Sequence, residues 1–188
     1  MLTGAQLTDK EFDRFSELIY KNAGISLKPE KKELLNARLS KRLRATRLQS
    51  FKEYFDLVTS PAEVNGEFVQ FLNAVSTNFT SFFRETAHFE YLTSTVMPEI
   101  MQRADAAGKK ELTIWSSASS SGEEPYTLAM VLANHLEKHP YYRMKIIATD
   151  ISTKVLNTAV KGVYGVDRMA NVPDEFVRKY FQKGVGKS

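Results

Sequence analysis

Apolar side chains recur every three or four positions through the first third of the chain, which is the spacing of one face of an α-helix. Capping boxes, in which a Ser or Thr is followed three positions later by Glu, mark helix starts at residues 8–11, 50–53 and 60–63. Another helix starts near Pro29, a residue that the first turn of a helix tolerates. We therefore predict four helices within residues 8–75, packed as an all-α domain.

A polar stretch at residues 76–84 breaks this pattern. A further helical run follows it, kinked or restarted at Pro98 and ended by Gly108. The period then changes to that of short apolar strands, predicted at residues 112–115 and 145–150. Helices are predicted to open at Pro125, after Ser152 as a cap, and at residues 173–181.

Strand, helix, strand and helix in this order form a βαβα unit, in which the strands are parallel and helices cover the sheet. The predicted fold class is therefore α/β, with an all-α domain in front of the sheet. We divide the chain into a helical domain at residues 1–75, a linker at 76–90 and an incomplete α/β domain at 91–188.

The composition is that of a folded globular protein, since 43% of the residues are hydrophobic and 26% are charged. This balance excludes a disordered tail, a collagen-like fibre and a coiled-coil rod. With no cysteine there is no disulfide, thiolate metal site or cysteine nucleophile, and three scattered histidines disfavour a histidine metal site. Because no apolar run could cross a membrane and residues 1–10 do not resemble a signal peptide, we expect a cytoplasmic protein without membrane insertion.

Three acidic residues occupy the places where an open parallel sheet binds ligands, outside the carboxyl ends of its strands. Asp150 ends the second strand, where a carboxylate can accept both hydroxyls of a ribose, while Glu123 and Glu124 follow the serine-rich stretch after the first strand. Each could instead serve its following helix, Asp150 as an N-cap and the glutamates as partners of the helix dipole. Together they disfavour a phosphate and favour a positively charged nucleoside such as S-adenosylmethionine.

Three segments resemble the chemotaxis receptor methyltransferase (CheR) family, in the same order and at similar spacing. They are STNFTSFFRE at residues 76–85, WSSASSSGEEPY at 115–126 and ATDI at 148–151. The resemblance runs nearly end to end, and it implies the first part of a class I, Rossmann-like methyltransferase domain after the helical domain. It also implies methyl transfer from S-adenosylmethionine to glutamate side chains of chemoreceptors in chemotaxis, leaving S-adenosylhomocysteine and using no metal.

The resemblance further implies roles for individual residues. The residues implied to hold the cofactor are Asn78, Thr80 and Arg84 in the pocket wall, Glu124 at the methionine end in preference to Glu123, and Asp150 at the ribose. The 76–90 linker would thus contribute to the cofactor site. Arg84 is also the candidate catalytic residue, because a cation there could orient the substrate carboxylate.

Without the resemblance, the same linker has a simpler interpretation. Phe79, Phe82 and Phe83 are then expected in the hydrophobic core, and Arg84 is expected on the surface in a salt bridge.

One segment makes the protein basic, because residues 28–47 hold eight Lys and Arg against two Glu, while the whole chain has a net charge of +4. Basic residues on a helix most often form a solvated face, and this segment lacks the aromatic residues and motifs of a nucleic-acid site, so no nucleic-acid partner is expected. Under the resemblance, this helix docks on the acidic helical bundle of a chemoreceptor. The docking candidates are Arg38, Arg42, Arg44 and Arg47.

Only two strands are predicted, whereas a class I methyltransferase sheet has more, so we expect this sequence to be a fragment or to be completed by another chain. An open sheet edge and an uncovered apolar face would otherwise remain. Two alternatives to chemoreceptor methylation stay open. The chain could be a non-catalytic module that docks an acidic helical protein through residues 28–47, or it could methylate a different acidic protein.

Overall fold

The computed structural model describes residues 5–63 and 66–184, which fall into two compact units. The helical unit runs through Thr77 and includes Ile151–Lys154. The sheet unit takes Asn78–Asp150 and the chain from Val155 onward. The boundary between the units therefore lies inside the segment that the sequence predicts as a linker.

Four α-helices form the helical unit within the described residues, as the apolar spacing predicts. They are α1 (Asp9–Ala23), α2 (Lys32–Thr46), α3 (Phe51–Val58) and α4 (Glu67–Val75). The predicted capping boxes before α1 and α3 are both present, since the side chains of Thr8 and Ser50 each accept a hydrogen bond from the N–H three residues later. A 3₁₀ turn at Pro29–Lys31 precedes α2, which places the helix start close to its predicted position.

The start of α4 is later than the capping pattern at residues 60–63 predicts. Residues Pro61–Glu63 form one 3₁₀ turn, and α4 begins at Glu67 after its N-cap Gly66. Gly66 has non-helical backbone angles (φ −108°, ψ −107°), so the helix cannot extend through it. The side chain of Glu63, which the predicted capping box requires, lies outside the described residues.

Aromatic side chains form the centre of the helical unit. Phe15, Tyr54 and Phe71 are fully buried, and their ring centroids lie between 5.9 Å and 6.3 Å apart. The phenol of Tyr54 donates to Oε1 of Glu67 at 2.7 Å, and Arg42 donates to both oxygens of the same carboxylate at 2.9 Å and 2.7 Å. Burial and the Glu67 carboxylate raise the pKa of Tyr54, so the phenol stays a neutral donor inside the core.

Asn73 of α4 binds the part of the helical unit that comes from later in the chain, Ile151–Lys154. Its Oδ1 accepts from the hydroxyl of Ser152 at 2.8 Å and from the N–H of Lys154 at 3.4 Å. Its Nδ2 donates to Oγ1 of Thr153 at 3.2 Å. The amide side chain of Asn73 thus satisfies polar groups at residues 152–154, where a later helix of the chain begins.

The sheet unit alternates helices with two strands. In chain order these are α5 (Thr86–Tyr91), α6 (Met97–Ala106), β1 (Glu111–Ser117), α7 (Glu123–Leu136), β2 (Arg143–Thr149), α8 (Thr153–Lys161, its first two residues in the helical unit) and α9 (Asp174–Tyr180). A π-helical turn, Leu92–Val96, joins α5 to α6, and Pro98 follows it in the first turn of α6. The kink or restart predicted at Pro98 thus falls next to a π-helical turn in a helical run without a break from Thr86 to Ala106.

The two strands are parallel, with Glu111 opposite Arg143 and Ser117 opposite Thr149. This order of strands and helices confirms the predicted α/β class. The strand bounds differ slightly from the prediction, because β1 continues to Ser117 and β2 ends at Thr149. Asp150 is consequently the first residue after β2 rather than its last.

The two faces of this sheet differ in burial. On one face, Leu112 belongs to a core cluster with Met101 of α6 and Leu132 of α7. On the other face, Trp115 is 68% exposed and its register partner Ile147 is 40% exposed. The described part of the sheet unit therefore presents apolar side chains to solvent on one face.

Neither a membrane-spanning helix nor a metal-binding cluster is present among residues 5–63 and 66–184. No helix there is both long and apolar enough to cross a lipid bilayer. No group of three or more His, Asp and Glu side chains in those ranges is arranged to hold a metal ion.

Candidate functional site

The hydrogen-bond ladder between the strands continues past the end of β1. The N–H of Ser119 donates to the carbonyl of Thr149 at 2.9 Å, and the N–H of Ser120 donates to Oδ2 of Asp150 at 2.8 Å. Both hydrogen bonds lie at the carboxyl ends of the parallel strands, where ligands bind in folds of this kind. The acid that the sequence places after β2 is thus held against the loop that follows β1.

This loop, residues 118–122, is here called the serine loop. Every second residue in it has a left-handed backbone, with φ of 56° at Ala118, 49° at Ser120 and 99° at Gly122. A non-glycine residue in this region costs about 1–3 kcal/mol, and such residues cluster at binding sites and catalytic sites. The backbone outliers therefore mark the serine loop as a candidate site independently of its sequence motif.

Gly122 occupies a position where no side chain fits. A Cβ there would lie 2.7 Å from Oη of Tyr164 and 2.9 Å from Cβ of Ala159. The same Tyr164 hydroxyl donates to the carbonyl of Ser121 at 2.7 Å. Burial, together with the nearby Glu123 carboxylate, raises the pKa of Tyr164 and keeps it protonated as a donor. The far end of the serine loop is therefore anchored.

The two glutamates at the start of α7 have different surroundings. Glu123 is fully buried and accepts from the hydroxyl of Ser121 at 2.6 Å and from Nε of Arg168 at 3.1 Å. Its carboxylate raises the pKa of the Arg168 guanidinium through this hydrogen bond. Glu124 is exposed and accepts from the hydroxyl of Ser116 at 2.8 Å. Glu123 is therefore part of the loop's internal support, and Glu124 is the one that faces solvent.

The segment at residues 78–85 packs beside the serine loop and α7. The carbonyl of Asn78 accepts from the hydroxyl of Ser120 at 2.9 Å. Further along, the N–H of Phe83, a residue with φ of 53°, donates to Oγ1 of Thr127 at 3.2 Å, and that hydroxyl donates to the carbonyl of Glu123 at 2.7 Å. Thr127 thus pins the segment to the first turns of α7.

The expectation that three phenylalanines of this segment lie in the core is correct for two of them. Phe82 and Phe83 are buried and pack against Tyr164 and Phe176. Phe79 is wrongly assigned, because it is 77% exposed. The apolar character of a side chain does not specify which side of an irregular segment it occupies, so spacing could not separate Phe79 from the other two.

Arg84 has the surroundings of a surface residue. Its guanidinium lies 5.6 Å from the ring centroid of Phe79, 3.6 Å from Oε1 of Glu85 and 3.4 Å from the Phe79 carbonyl. The side chain is about half exposed, and Thr80 in the same segment is half-buried. The structure thus joins Asn78 to Asp150 through Ser120, whereas Arg84 and Glu124 are held by other neighbours, and a role for each in binding stays a prediction.

The four arginines proposed for docking lie in and just after α2, and two of them have partners inside the helical unit. Arg38 donates to the carbonyls of Val75 and Ser76 and to Oγ1 of Thr77, so that it caps the end of α4. The Glu67 carboxylate holds Arg42 and raises the pKa of its guanidinium. Arg44 and Arg47 are exposed.

The sequence alone did not identify four residues that support this site, which are Ser120, Thr127, Tyr164 and Arg168. Each acts on a group between 4 and 45 positions away in the chain, and most of these separations exceed 40. Tyr164 and Arg168 lie in a stretch with no recognisable motif. Nothing in their spacing could have shown that they support the serine loop.

Comparison with protein families agrees with the architecture. Residues 10–76 match the family model described as the CheR methyltransferase all-alpha domain, and residues 78–188 match that of the CheR methyltransferase SAM-binding domain. The chain belongs to the CheR methyltransferase family. The two CheR domains meet between residues 76 and 78, next to the boundary between the helical and sheet units.

Curated relatives of the CheR type cover nearly the whole chain. The chemotaxis protein methyltransferase of Borreliella burgdorferi is 37% identical over 178 residues, which are 94% of this chain and 62% of that protein. The chemotaxis protein methyltransferase of Escherichia coli K12 is 40% identical over 96% of this chain and 59% of its own length. The probable chemotaxis protein methyltransferase of Rhizobium etli is 40% identical over 88% and 61%. The chain thus spans about three fifths of the length of these relatives.

Proposed function

We propose that this chain binds S-adenosylmethionine in its sheet unit and takes part in methylating glutamate side chains of chemoreceptors. One observation carries the proposal: in a chain of the CheR family, the Asp150 carboxylate and the serine loop are joined at the carboxyl edge of the parallel sheet by a hydrogen bond of 2.8 Å. This edge is where open α/β sheets bind nucleosides.

The groups at this edge fit the cofactor. A carboxylate after β2 is the acceptor that ribose hydroxyls require, and Asp150 supplies it. A solvent-facing carboxylate at the other strand supports binding of an ammonium group, and Glu124, fixed by the Ser116 hydroxyl at 2.8 Å, supplies that. Asn78 and Thr80 offer an amide and a hydroxyl on the segment packed beside the serine loop. Arg84, which is also among the residues expected to hold the cofactor, lies on the same segment.

When bound, S-adenosylmethionine supplies a methyl group already activated by its sulfonium, so that transfer to a carboxylate leaves S-adenosylhomocysteine. A glutamate carboxylate has an ordinary pKa of about 4.3 and is therefore an ionised nucleophile at neutral pH. The task left to the protein is to position the two groups, which can supply a large part of the rate.

Arg84 is the candidate for orienting the substrate carboxylate. It is half exposed, and its present carboxylate partner, Glu85, lies 3.6 Å away at the surface, so the pair is weak and exchangeable. A guanidinium held this loosely can direct a substrate carboxylate without forming the tight ion pair that would lower the carboxylate's nucleophilicity. We propose this orienting role rather than direct participation in bond making.

For the receptor, the proposal relies on the basic surface of the helical unit. Arg44 and Arg47 are exposed and can contact an acidic helical bundle. Arg38 and Arg42 already have partners inside the helical unit, which they would have to share with the bundle or exchange for it. Complementary charge of this kind contributes to association rate and specificity, and it is screened by salt. We therefore expect receptor association to weaken as ionic strength rises.

The test is calorimetric titration of the 188-residue chain with S-adenosylhomocysteine, beside the variants Asp150→Ala and Asp13→Ala. Asp13 lies exposed on α1 and serves as a control for removing a carboxylate elsewhere. We expect saturable binding by the wild type and the control, and loss of binding in Asp150→Ala. A folded wild-type chain that does not bind, or an Asp150→Ala variant that binds normally, would overturn the proposal.

The exposed Arg44 and Arg47 also favour a second candidate, a module that docks an acidic helical protein without catalysis. Salt-sensitive binding to such a partner by a chain that does not bind the cofactor would support it. A methyl acceptor other than a chemoreceptor is separated by a third measurement, transfer of a labelled methyl group to receptor fragments and to unrelated acidic proteins.

A further inference from the structure

Ser120 connects two residues of the proposed cofactor site that are far apart in sequence. Its hydroxyl donates to the carbonyl of Asn78 at 2.9 Å, and its N–H donates to Oδ2 of Asp150 at 2.8 Å. The two contacts span 42 and 30 positions of the chain. With only 6% of its surface exposed, Ser120 is largely shielded from water, which would otherwise compete for both bonds.

The backbone around Ser120 is held on both sides. Before it, the N–H of Ser119 donates to the Thr149 carbonyl at 2.9 Å, and after it the N–H of Gly122 donates to the Ser119 carbonyl at 3.0 Å. Ser120 itself has φ of 49°, a conformation that a serine keeps only where its surroundings impose it. The residue is therefore rigid and can fix the position of the groups that it contacts.

We propose that Ser120 is a positioning residue for the cofactor, which it does not need to touch. Its hydroxyl fixes the Asn78 end of the 78–85 segment, while its N–H orients the Asp150 carboxylate toward the ribose. The inference rests on the proposed function, since it assigns Ser120 to the same site. It adds that a single residue of the serine loop fixes the position of the 78–85 segment relative to Asp150.

The hydroxyl is the part of this arrangement that a substitution can remove cleanly. Ser120→Ala loses the bond to Asn78 but keeps the N–H that faces Asp150. Ser120→Gly loses the same bond and also relieves the left-handed backbone, so it stays foldable if alanine is not tolerated. Because a neutral hydrogen bond contributes a modest net free energy, we expect either variant to weaken binding of S-adenosylhomocysteine about 3- to 10-fold.

A serine of the helical unit provides the control. Ser16 lies in α1, and its buried hydroxyl oxygen has no hydrogen-bond partner among residues 5–63 and 66–184. Ser16→Ala therefore removes a hydroxyl without breaking a bond and outside the serine loop, and we expect its affinity to equal that of the wild type. Thermal unfolding followed by circular dichroism, recorded for every variant, separates loss of affinity from loss of folding.

A double-mutant cycle with Asn78→Ala separates positioning from a general structural role. Asn78→Ala keeps the backbone carbonyl that accepts from Ser120 but removes the amide side chain. If Ser120 acts by placing Asn78, its substitution should have a smaller effect in the Asn78→Ala background than in the wild type. If the two effects multiply, or if Ser120→Gly binds as tightly as the wild type, the inference is wrong even though the chain binds the cofactor. A wild-type chain that fails to bind overturns the proposed function instead.

Discussion

Replacing Arg168 with Met removes the cation that faces a fully buried carboxylate. Glu123 has no exposed side-chain surface, whereas the Arg168 side chain is 42% exposed. Taking away one partner of a fully buried ion pair costs about 3–5 kcal/mol, because the remaining charge is left uncompensated. The exposure of Arg168 admits water and screening, so we expect a smaller loss of unfolding free energy, about 2–3 kcal/mol.

Lys179 offers a matched control in the same unit. It pairs with Glu137, and the Lys179 side chain is also 42% exposed, but its carboxylate partner is 62% exposed rather than buried. Exposed pairs of this kind contribute about 0–1 kcal/mol. Lys179→Met should therefore cost much less than Arg168→Met, since the two pairs differ mainly in the burial of the carboxylate.

The assay is urea unfolding followed by circular dichroism and by the fluorescence of Trp115, the single tryptophan, which lies in the sheet unit. The variant Glu123→Gln, combined with Arg168→Met, removes the buried charge together with its cation. We expect this double variant to be more stable than Arg168→Met alone. An Arg168→Met variant that loses no more stability than Lys179→Met, or a further loss of stability on adding Glu123→Gln, would contradict this expectation.

Two other predictions concern the stability of the sheet unit. Thr127→Val removes the hydroxyl that accepts from the buried N–H of Phe83, so the unfolding free energy should fall by about 1–3 kcal/mol in the same urea assay. Thr127→Ser keeps the hydroxyl and should lower the unfolding free energy less. Burial, followed by the nearby His139 and Lys138, lowers the pKa of His135 below its ordinary value of 6.5. The unfolded chain therefore binds a proton more readily at this position, and the unfolding free energy should drop as the pH falls below 6.5. His135→Gln should reduce this drop when unfolding is measured from pH 8 to pH 5.

Local rules predicted most of the elements. Capping boxes at Thr8 and Ser50 and the apolar spacing between them depend on contacts three or four residues apart, which a sequence displays directly. The parallel pairing of the two strands is not local, but it was also predictable, because a helix between two short strands leaves few other arrangements. At residues 60–63 the same pattern is followed by a 3₁₀ turn, and α4 begins only at Glu67.

The position of the acids at the edge of the sheet was predictable, but the groups that support them were not. Asp150 could be predicted at the carboxyl edge of the sheet because it follows an apolar strand. The loop after the neighbouring parallel strand lies at the same edge, which is where Asp150 contacts the serine loop. Arg38 and Arg42 illustrate the opposite case, since the resemblance implied docking through this basic helix, whereas the fold gives them Val75, Ser76 and Glu67 as partners. Which cations remain exposed depends on neighbours brought together by folding.

What the sequence determined by itself was the order and type of the elements, the edge of the sheet that carries polar groups, and the family motifs on that edge. What only the tertiary structure decided was how those groups are held: Ser120 between Asn78 and Asp150, and Arg168 on a buried Glu123. The physical reason is the range of the interactions. Helix caps and apolar periodicity act between near neighbours in the chain. The bonds from Ser120 to Asn78 and Asp150 and from Arg168 to Glu123 instead join residues 30 to 45 positions apart, whose proximity exists only after the sheet has formed.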